Sequence, residues 1–219
     1  MIGVTLGIGA DWYKCAQNAA RYMQRATGLD CHVVDRRLRT TDGVSPAWDK
    51  LWLQDAYPGE ALLIFDSDII AQQSWDPVRL LDSAPFAAVV TEPTTERMES
   101  GVTYECARAG LDRKRYVNTG LMLIRADCDV LIRAREFYPT CGPWYEQTAV
   151  NIALKSVDFA ALPACYNVEL YEKYFAPRQG VNLHYIGHWR NKPSWLLKIQ
   201  RQYDSLLLGE ARYQCISKR

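Results

Sequence analysis

Asp66 and Asp68, two carboxylates separated by a single serine, stand directly after the apolar run Ala61-Leu62-Leu63-Ile64-Phe65. Where a buried strand breaks into a turn, side chains are released from strict alternation between faces, so both acids can converge on one divalent cation. Ligands of open α/β sheets bind beyond the carboxyl ends of strands, which is where this pair falls. A polar turn capping a strand uses the same residues, so the pair alone leaves both readings open. A second constellation, His184-Tyr185-Ile186-Gly187 followed by Lys192, Pro193 and Trp195, ends another apolar segment. There an imidazole can complete a metal shell and Lys192 can meet phosphate charge; the alternative is a histidine satisfied by backbone. His184 and His188 have the i, i+4 spacing of a zinc-protease helix. Tyr185 stands where that motif needs glutamate and Gly187 disfavours a helix, so this chemistry is excluded and His188 is read as structural.

These groups need strands that end together. Residues 2–8 read as a buried first strand. A helix follows whose apolar stripe is Trp12, Ala16, Ala19, Ala20 and Met23, closed by Gly28. Cys31-His32-Val33-Val34 is a second strand, and a basic loop over 36–43 leads to a helix beginning at Ser45-Pro46, Ser at the cap and Pro in the first turn. Strand, helix, strand in this order predicts parallel pairing. The run 61–65 after Pro58-Gly59 reads as a central strand covered on both faces. Further strands are expected at 86–91, 116–125, 157–162 and 182–186, helices at 129–137 and 144–155, and a closing helix from Pro193. The stretch 92–115 is polar and too long for an ordinary connection, so it is either a functional loop or a set of short elements. The expectation is an α/β fold with a Rossmann-like mixed sheet flanked by helices, in one domain over 1–219, since neither a repeat nor a linker breaks the chain.

Composition narrows the function. With 26 basic and 25 acidic residues there is no global field demanding nucleic acid or an anionic membrane. The 7 cysteines form no C-x-x-C pair and suit scattered thiols of a cytosolic protein. The first ten residues lack a basic lead, Asp11 comes too early for a signal peptide, and no stretch approaches the ~20 apolar residues of a membrane span, so a cytoplasmic location is expected.

Together the motifs resemble glycosyltransferase family 8, retaining enzymes of the GT-A fold that include glycogenin and bacterial galactosyltransferases. The resemblance rests on Ala10-Asp11-Trp12-Tyr13, Leu63-Ile64-Phe65-Asp66-Ser67-Asp68, Val117-Asn118-Thr119-Gly120-Leu121, Glu146-Gln147, Leu162-Pro163 with Asn167, and His184 through Trp195, in that order. It implies that Asp66, Asp68 and His184 hold Mn²⁺ (or Mg²⁺), with Lys192 adding positive charge at the diphosphate of a UDP-sugar donor. It implies further that Ala10, Asp11 and Tyr13 cradle the base, that Lys50, Ser67 and Gly187 face the donor, and that Asn118, Glu146 and Gln147 surround the transferred sugar. Glu146 stands where the family usually has aspartate, a methylene longer. Two extra residues between Gly187 and Lys192 make Arg190 an alternative phosphate contact, and one more precedes Trp195.

The resemblance implies retention at the anomeric carbon, either through a covalent intermediate on Glu146 or by a front-face route. A sugar nucleotidyltransferase shares the Rossmann-like start, and Gly7-Ile8-Gly9 superficially matches its phosphate loop, but Asp11 and Trp12 follow where a basic residue is needed. A non-catalytic sugar-nucleotide binder would not need intact metal ligands. The acceptor is unassigned: a glycan, a protein tyrosine, or nucleic acid with modified bases. Arg113-Lys114-Arg115 and Arg36, Arg37 and Arg39 are either phosphate contacts or solvated charge. Trp195-Leu196-Leu197 and Leu206-Leu207-Leu208 are candidates for touching a membrane surface.

Overall fold

The computed structural model describes residues 1–41, 43–91, 96–139, 145–170, 179–186 and 192–216. Its first half follows the apolar pattern closely. β1 (Ile2–Leu6) feeds α1 (Ala10–Thr27), which Gly28 ends in the left-handed conformation expected of a glycine cap. β2 (Cys31–Val34) and β3 (Leu62–Phe65) then flank β1, both parallel to it. The segment after Ser45 is a 3₁₀ helix, Pro46–Trp52, continuing into the short α2 (Leu53–Ala56), with Ser45 Oγ accepting from Ala47 N–H at 3.3 Å. The tighter winding puts Asp49 and Lys50 inward in succession. Asp49 accepts from the backbone N–H groups of Leu38, Arg39 and Thr40 at 3.0–3.1 Å, and Lys50 turns to the ends of the strands.

β4 (Ile69–Ala71) follows the turn after β3, and α3 (Pro77–Leu80) leads into β5 (Phe86–Val90). The segment read as a long polar connection contains α4 (Glu96–Ala109); its first residues, 92–95, lie outside the described ones. α4 escapes a hydrophobicity reading because its inner face is thin: Val102 and Cys106 meet Tyr116, and the buried Glu105 bridges Arg108 and Thr148 at 3.1 and 3.2 Å. β6 (Val117–Ile124) pairs antiparallel with both β3 and β5 and is buried along its whole length. α5 (Val130–Ala134) and α6 (Glu146–Ala153) are shorter than the spans 129–137 and 144–155, each ending in 3₁₀ turns; Trp144 lies outside the described residues. β7 (Ala160–Leu162) completes a six-stranded mixed sheet in the order β2-β1-β3-β6-β5-β7.

β8 (Val168–Leu170) and β9 (Asn182–Tyr185) join β4 in a second sheet of order β4-β9-β8. β4 and β8 had no expectation in the sequence, since three residues are too few to show a period. The chain closes with α7 (Lys192–Ile216), laid against α1. Gln200 donates to Cys15 O at 3.1 Å and accepts from Asn18 at 2.9 Å, while Arg21 pairs with Asp204 at 2.8 Å. Alternation along β3 divides the core: Leu63 and Phe65 face α1, α7 and the small sheet, whereas Leu62 and Ile64 face Trp48, Leu51, α5 and α6.

Leu196 is buried in the first of these clusters and Trp195 and Leu197 pack against it partly buried, so the three do not form a free membrane-facing patch. Of the other leucines in that expectation Leu206 is about half exposed. The basic triplet is likewise partly structural. Arg113 donates to Thr91 O at 3.0 Å and pairs with Glu99, and Arg37 is drawn to Thr40 and Asp49.

Candidate active site

The turn after β3 is fixed by backbone bonds from both neighbours. Asp66 N–H donates to Gly120 O on β6 at 2.8 Å, Ile69 N–H returns to Asp66 O at 3.1 Å, and Tyr185 N–H donates to Asp68 O at 3.0 Å. The last bond carries the sequence-distant β9 to the turn, and His184 arrives opposite Ile69. Its Nε2 lies 3.2 Å from Asp68 Oδ1 and 3.6 Å from Asp66 Oδ2. Lys192, at the start of α7, reaches Asp68 Oδ2 at 2.5 Å, its ammonium 5.8 Å from the centroid of the Trp12 ring. Gly120 makes the approach feasible: a Cβ there would overlap the His184 ring and come within 2.8 Å of Asn118 Oδ1.

A second cluster adjoins the first. Lys50 Nζ bridges Asp66 Oδ1 at 2.6 Å and Glu146 Oε1 at 2.8 Å, with Thr119 O at 3.3 Å. Thr119 Oγ1 donates to the same Glu146 oxygen at 3.2 Å, and Thr119 N–H donates to Gln147 Oε1 at 3.2 Å. The resulting alternation of buried charge, Lys192, Asp68, His184, Asp66, Lys50, Glu146, shifts every pKa it resolves toward the ionised form. Burial works against the charge of Lys50, but Asp66 and Glu146 outweigh it and hold the ammonium above its ordinary value. Burial opposes ionisation of Asp68 as well, and Lys192 and His184 hold that carboxyl well below the usual range. Asp66 is also lowered: burial and the Asp68 charge resist, while Lys50 and His184 prevail. For His184, burial disfavours the cation, yet Asp68 and Asp66 carry the imidazole up to about 9.

This donor set fits a divalent cation. One ligand atom from each of Asp66, Asp68 and His184 lies within 4.8 Å of the others. Asp68 Oδ1 is shut off from water and has no hydrogen bond beyond its ion-pair contact with His184 Nε2 at 3.2 Å, and a buried anionic oxygen is strongly attracted to a cation. Two carboxylates with one imidazole suit a hard or borderline metal such as Mg²⁺ or Mn²⁺.

No protein-family model and no curated protein sequence matches the chain. Solved structures do. The galactosyltransferase LgtC in complex with donor and acceptor sugar analogs matches with a TM-score of 0.62 at 17% identity, covering 92% of this chain and 96% of that one. The fold is GT-A. A glycosyltransferase involved in the glycosylation of the major capsid of PBCV-1 matches with a TM-score of 0.61 at 14% identity, over 88% of this chain and 96% of that one. The glycosyltransferase GlyE of Streptococcus pneumoniae TIGR4 gives 0.60 at 14% identity, over 98% of this chain and 64% of that one.

The remaining expected residues that are described lie at the β1–α1 junction, in the Asp66–Asp68 turn, on β6 and on α6. Gly9, with φ 96°, turns the chain from β1 into α1, whose first residues Ala10 and Asp11 are exposed and whose Tyr13 is half-buried. Ser67 is buried in the Asp66–Asp68 turn. Asn118 is held rather than free: its Oδ1 accepts from Gly120 N–H at 2.7 Å and from Asn167 Nδ2 at 2.9 Å. Gln147 Nε2 reaches the Tyr116 hydroxyl at 3.4 Å. Gly187, His188 and Arg190 lie outside the described residues. Sequence reasoning missed Thr119 as the support of Glu146, Gly120 as the notch for the imidazole, and Glu169. Glu169, on β8 beside His184, is pushed up to about 7 by burial, against the charge of His184, a hydrogen bond from Asn118 and the charge of Arg113. None of the three carries a signal at the level of spacing, because each acts through a strand pairing.

Proposed function

We propose that the protein is a metal-dependent glycosyltransferase that moves a sugar from a UDP-sugar to an acceptor with retention of anomeric configuration. The observation that carries this reading is the convergence of Asp66, Asp68 and His184 at the carboxyl end of a central GT-A strand, flanked by Lys50 and Lys192. Asp66, Asp68 and His184 hold Mn²⁺ or Mg²⁺, which supplies Lewis acidity to the donor diphosphate and to the departing nucleotide. Lys192 adds a fixed positive charge at the same oxygens, in a site dry enough for that charge to act strongly. Ala10, Asp11 and Tyr13 receive the uracil at the β1–α1 junction, Tyr13 by stacking and Asp11 by accepting a ring N–H.

Lys50, Glu146, Gln147 and Asn118 border the transferred sugar. The Lys50 ammonium and the Thr119 hydroxyl both bind Glu146 Oε1, which draws electron density from that carboxylate and argues against it as a nucleophile. A front-face route follows: the bond from the anomeric carbon to the diphosphate breaks, the acceptor oxygen bonds to that carbon from the same face, and its proton passes to the leaving phosphate. The test is nucleotide release from a panel of nucleotide sugars with Mn²⁺, Mg²⁺ or chelator, followed by acceptors including glycans, tyrosine peptides and modified DNA. Release of UDP that survives full chelation overturns the metal reading, and a trapped glycosyl-Glu146 adduct overturns the front-face route.

A further inference from the structure

Among the buried polar atoms beside the site that have no hydrogen-bond partner among the described residues are His184 Nδ1 and Glu169 Oε2. They belong to neighbours. Glu169 and His184 are register partners in the parallel pairing of β8 with β9, so their side chains leave the same face of the small sheet. Glu169 is 7% exposed and His184 3%, which shuts water out of both. An imidazole that gives Nε2 to a metal keeps its one proton on Nδ1, and a buried N–H needs an acceptor. Asn118 Oδ1, which like the imidazole lies against Gly120, already takes two donors, from Gly120 and Asn167. Asn167 Oδ1 is also open, but that side chain is committed to Asn118 through Nδ2 and its residue lies two positions before the partner of His184.

We propose that Glu169 is a positioning residue for the metal site, accepting the Nδ1–H of His184 and so fixing the imidazole with Nε2 turned to Asp66 and Asp68. The inference rests on the metal reading of that site. It assigns a function to a buried acid that touches neither cation nor sugar, on a strand too short to read from sequence. The carboxylate raises the basicity of the ring as a ligand and holds it in one orientation; both effects strengthen metal affinity, by about 10–100-fold where such partners have been removed.

Mn²⁺ binding to the intact chain, measured by titration calorimetry without any donor, tests this in wild type, Glu169→Gln and Glu169→Leu, with the metal-free melting temperature of each. The amide carbonyl of Gln still accepts, so Glu169→Gln stays within a few fold of wild type. Glu169→Leu weakens Mn²⁺ by about 10–100-fold while its metal-free melting transition stays cooperative, so that the loss is read in a folded protein. In wild type loaded with diamagnetic Mg²⁺, NMR shows a slowly exchanging proton on His184 Nδ1. Mn²⁺ affinity unchanged in Glu169→Leu, or a freely exchanging Nδ1 proton, overturns the inference while leaving the metal reading intact. A wild-type chain that takes up no Mn²⁺ overturns both.

Discussion

Lys50 is the residue whose loss distinguishes a charge cluster from a collection of ion pairs. Replacing it by Met leaves Glu146 buried, and Asp66 partly buried, with no cation between them, and breaking a buried pair in this one-sided way costs about 3–5 kcal/mol. Asp66 keeps some contact with solvent, so the expected loss lies near 3 kcal/mol. Urea unfolding of Lys50→Met measures it, and Mn²⁺ restores part of the loss by neutralising Asp66. His184 gives a prediction in pH. Its folded pKa of about 9 stands above the unfolded value near 6.5, so its contribution to metal-free stability is full below that value and disappears as pH rises through about 9. The melting temperature of the metal-free protein therefore falls across this window, and His184→Gln removes that slope. Mn²⁺ affinity runs the other way, tightening with rising pH as the ligand sheds its proton. The acids, the histidine and Lys192 were legible in the sequence because a metal and a phosphate demand those residue types. The partnership of Lys50 with Glu146 was not, because it depends on how far a 3₁₀ helix turns one side chain.

At the scale of elements, the site is a meeting of strand ends, and Gly120 shows how little room the meeting leaves. Ala is ordinarily harmless or better than Gly in a strand, but here its Cβ would overlap the imidazole and crowd Asn118. Gly120→Ala is expected to destabilise by about 1–3 kcal/mol, as overpacking does, and to weaken Mn²⁺ at least tenfold by displacing His184. Denaturant titration and calorimetry read the two effects separately. The strands that meet there were visible in sequence in proportion to their burial: β3 is a continuous apolar run, as is β6 from Leu121 to Ile124, and β1 is broken only by Gly3 and Thr5, because both faces of the sheet are covered. β4 and β8 were invisible for want of length. The helix α4 was hidden differently, since an element that buries Glu105 together with a valine and a cysteine looks polar to any reading based on hydrophobic period. Parallel pairing of β1 with β2 and β3 followed from the intervening helices, whereas the reversed β6, inserted between β3 and β5 and antiparallel to both, lies beyond any local signal.

For the whole molecule, the three candidate metal ligands come from parts of the chain that are far apart in sequence: the turn from the large sheet into the small one, and a strand 116 residues later. The same strand end leads toward α7, whose Lys192 touches Asp68 and whose body is tied to α1 by Gln200 and Asp204. A ligand that binds only this assembled arrangement stabilises the fold by mass action, about 2.7 kcal/mol at one hundred times its dissociation constant. In a chain of this size each kcal/mol raises the melting temperature by about 2–4 °C, so saturating Mn²⁺ is expected to raise it by about 5–11 °C. Chelator returns it to the metal-free value. Asp68→Asn removes the charge that Mn²⁺ seeks and leaves Lys192 facing an amide, and its melting temperature should not respond to Mn²⁺. Asn keeps the size of Asp68 and its carbonyl still accepts from Lys192, and a loss of Mn²⁺ response in a variant that still melts cooperatively separates ligation from general destabilisation. A full shift retained in Asp68→Asn would place the cation elsewhere on the molecule.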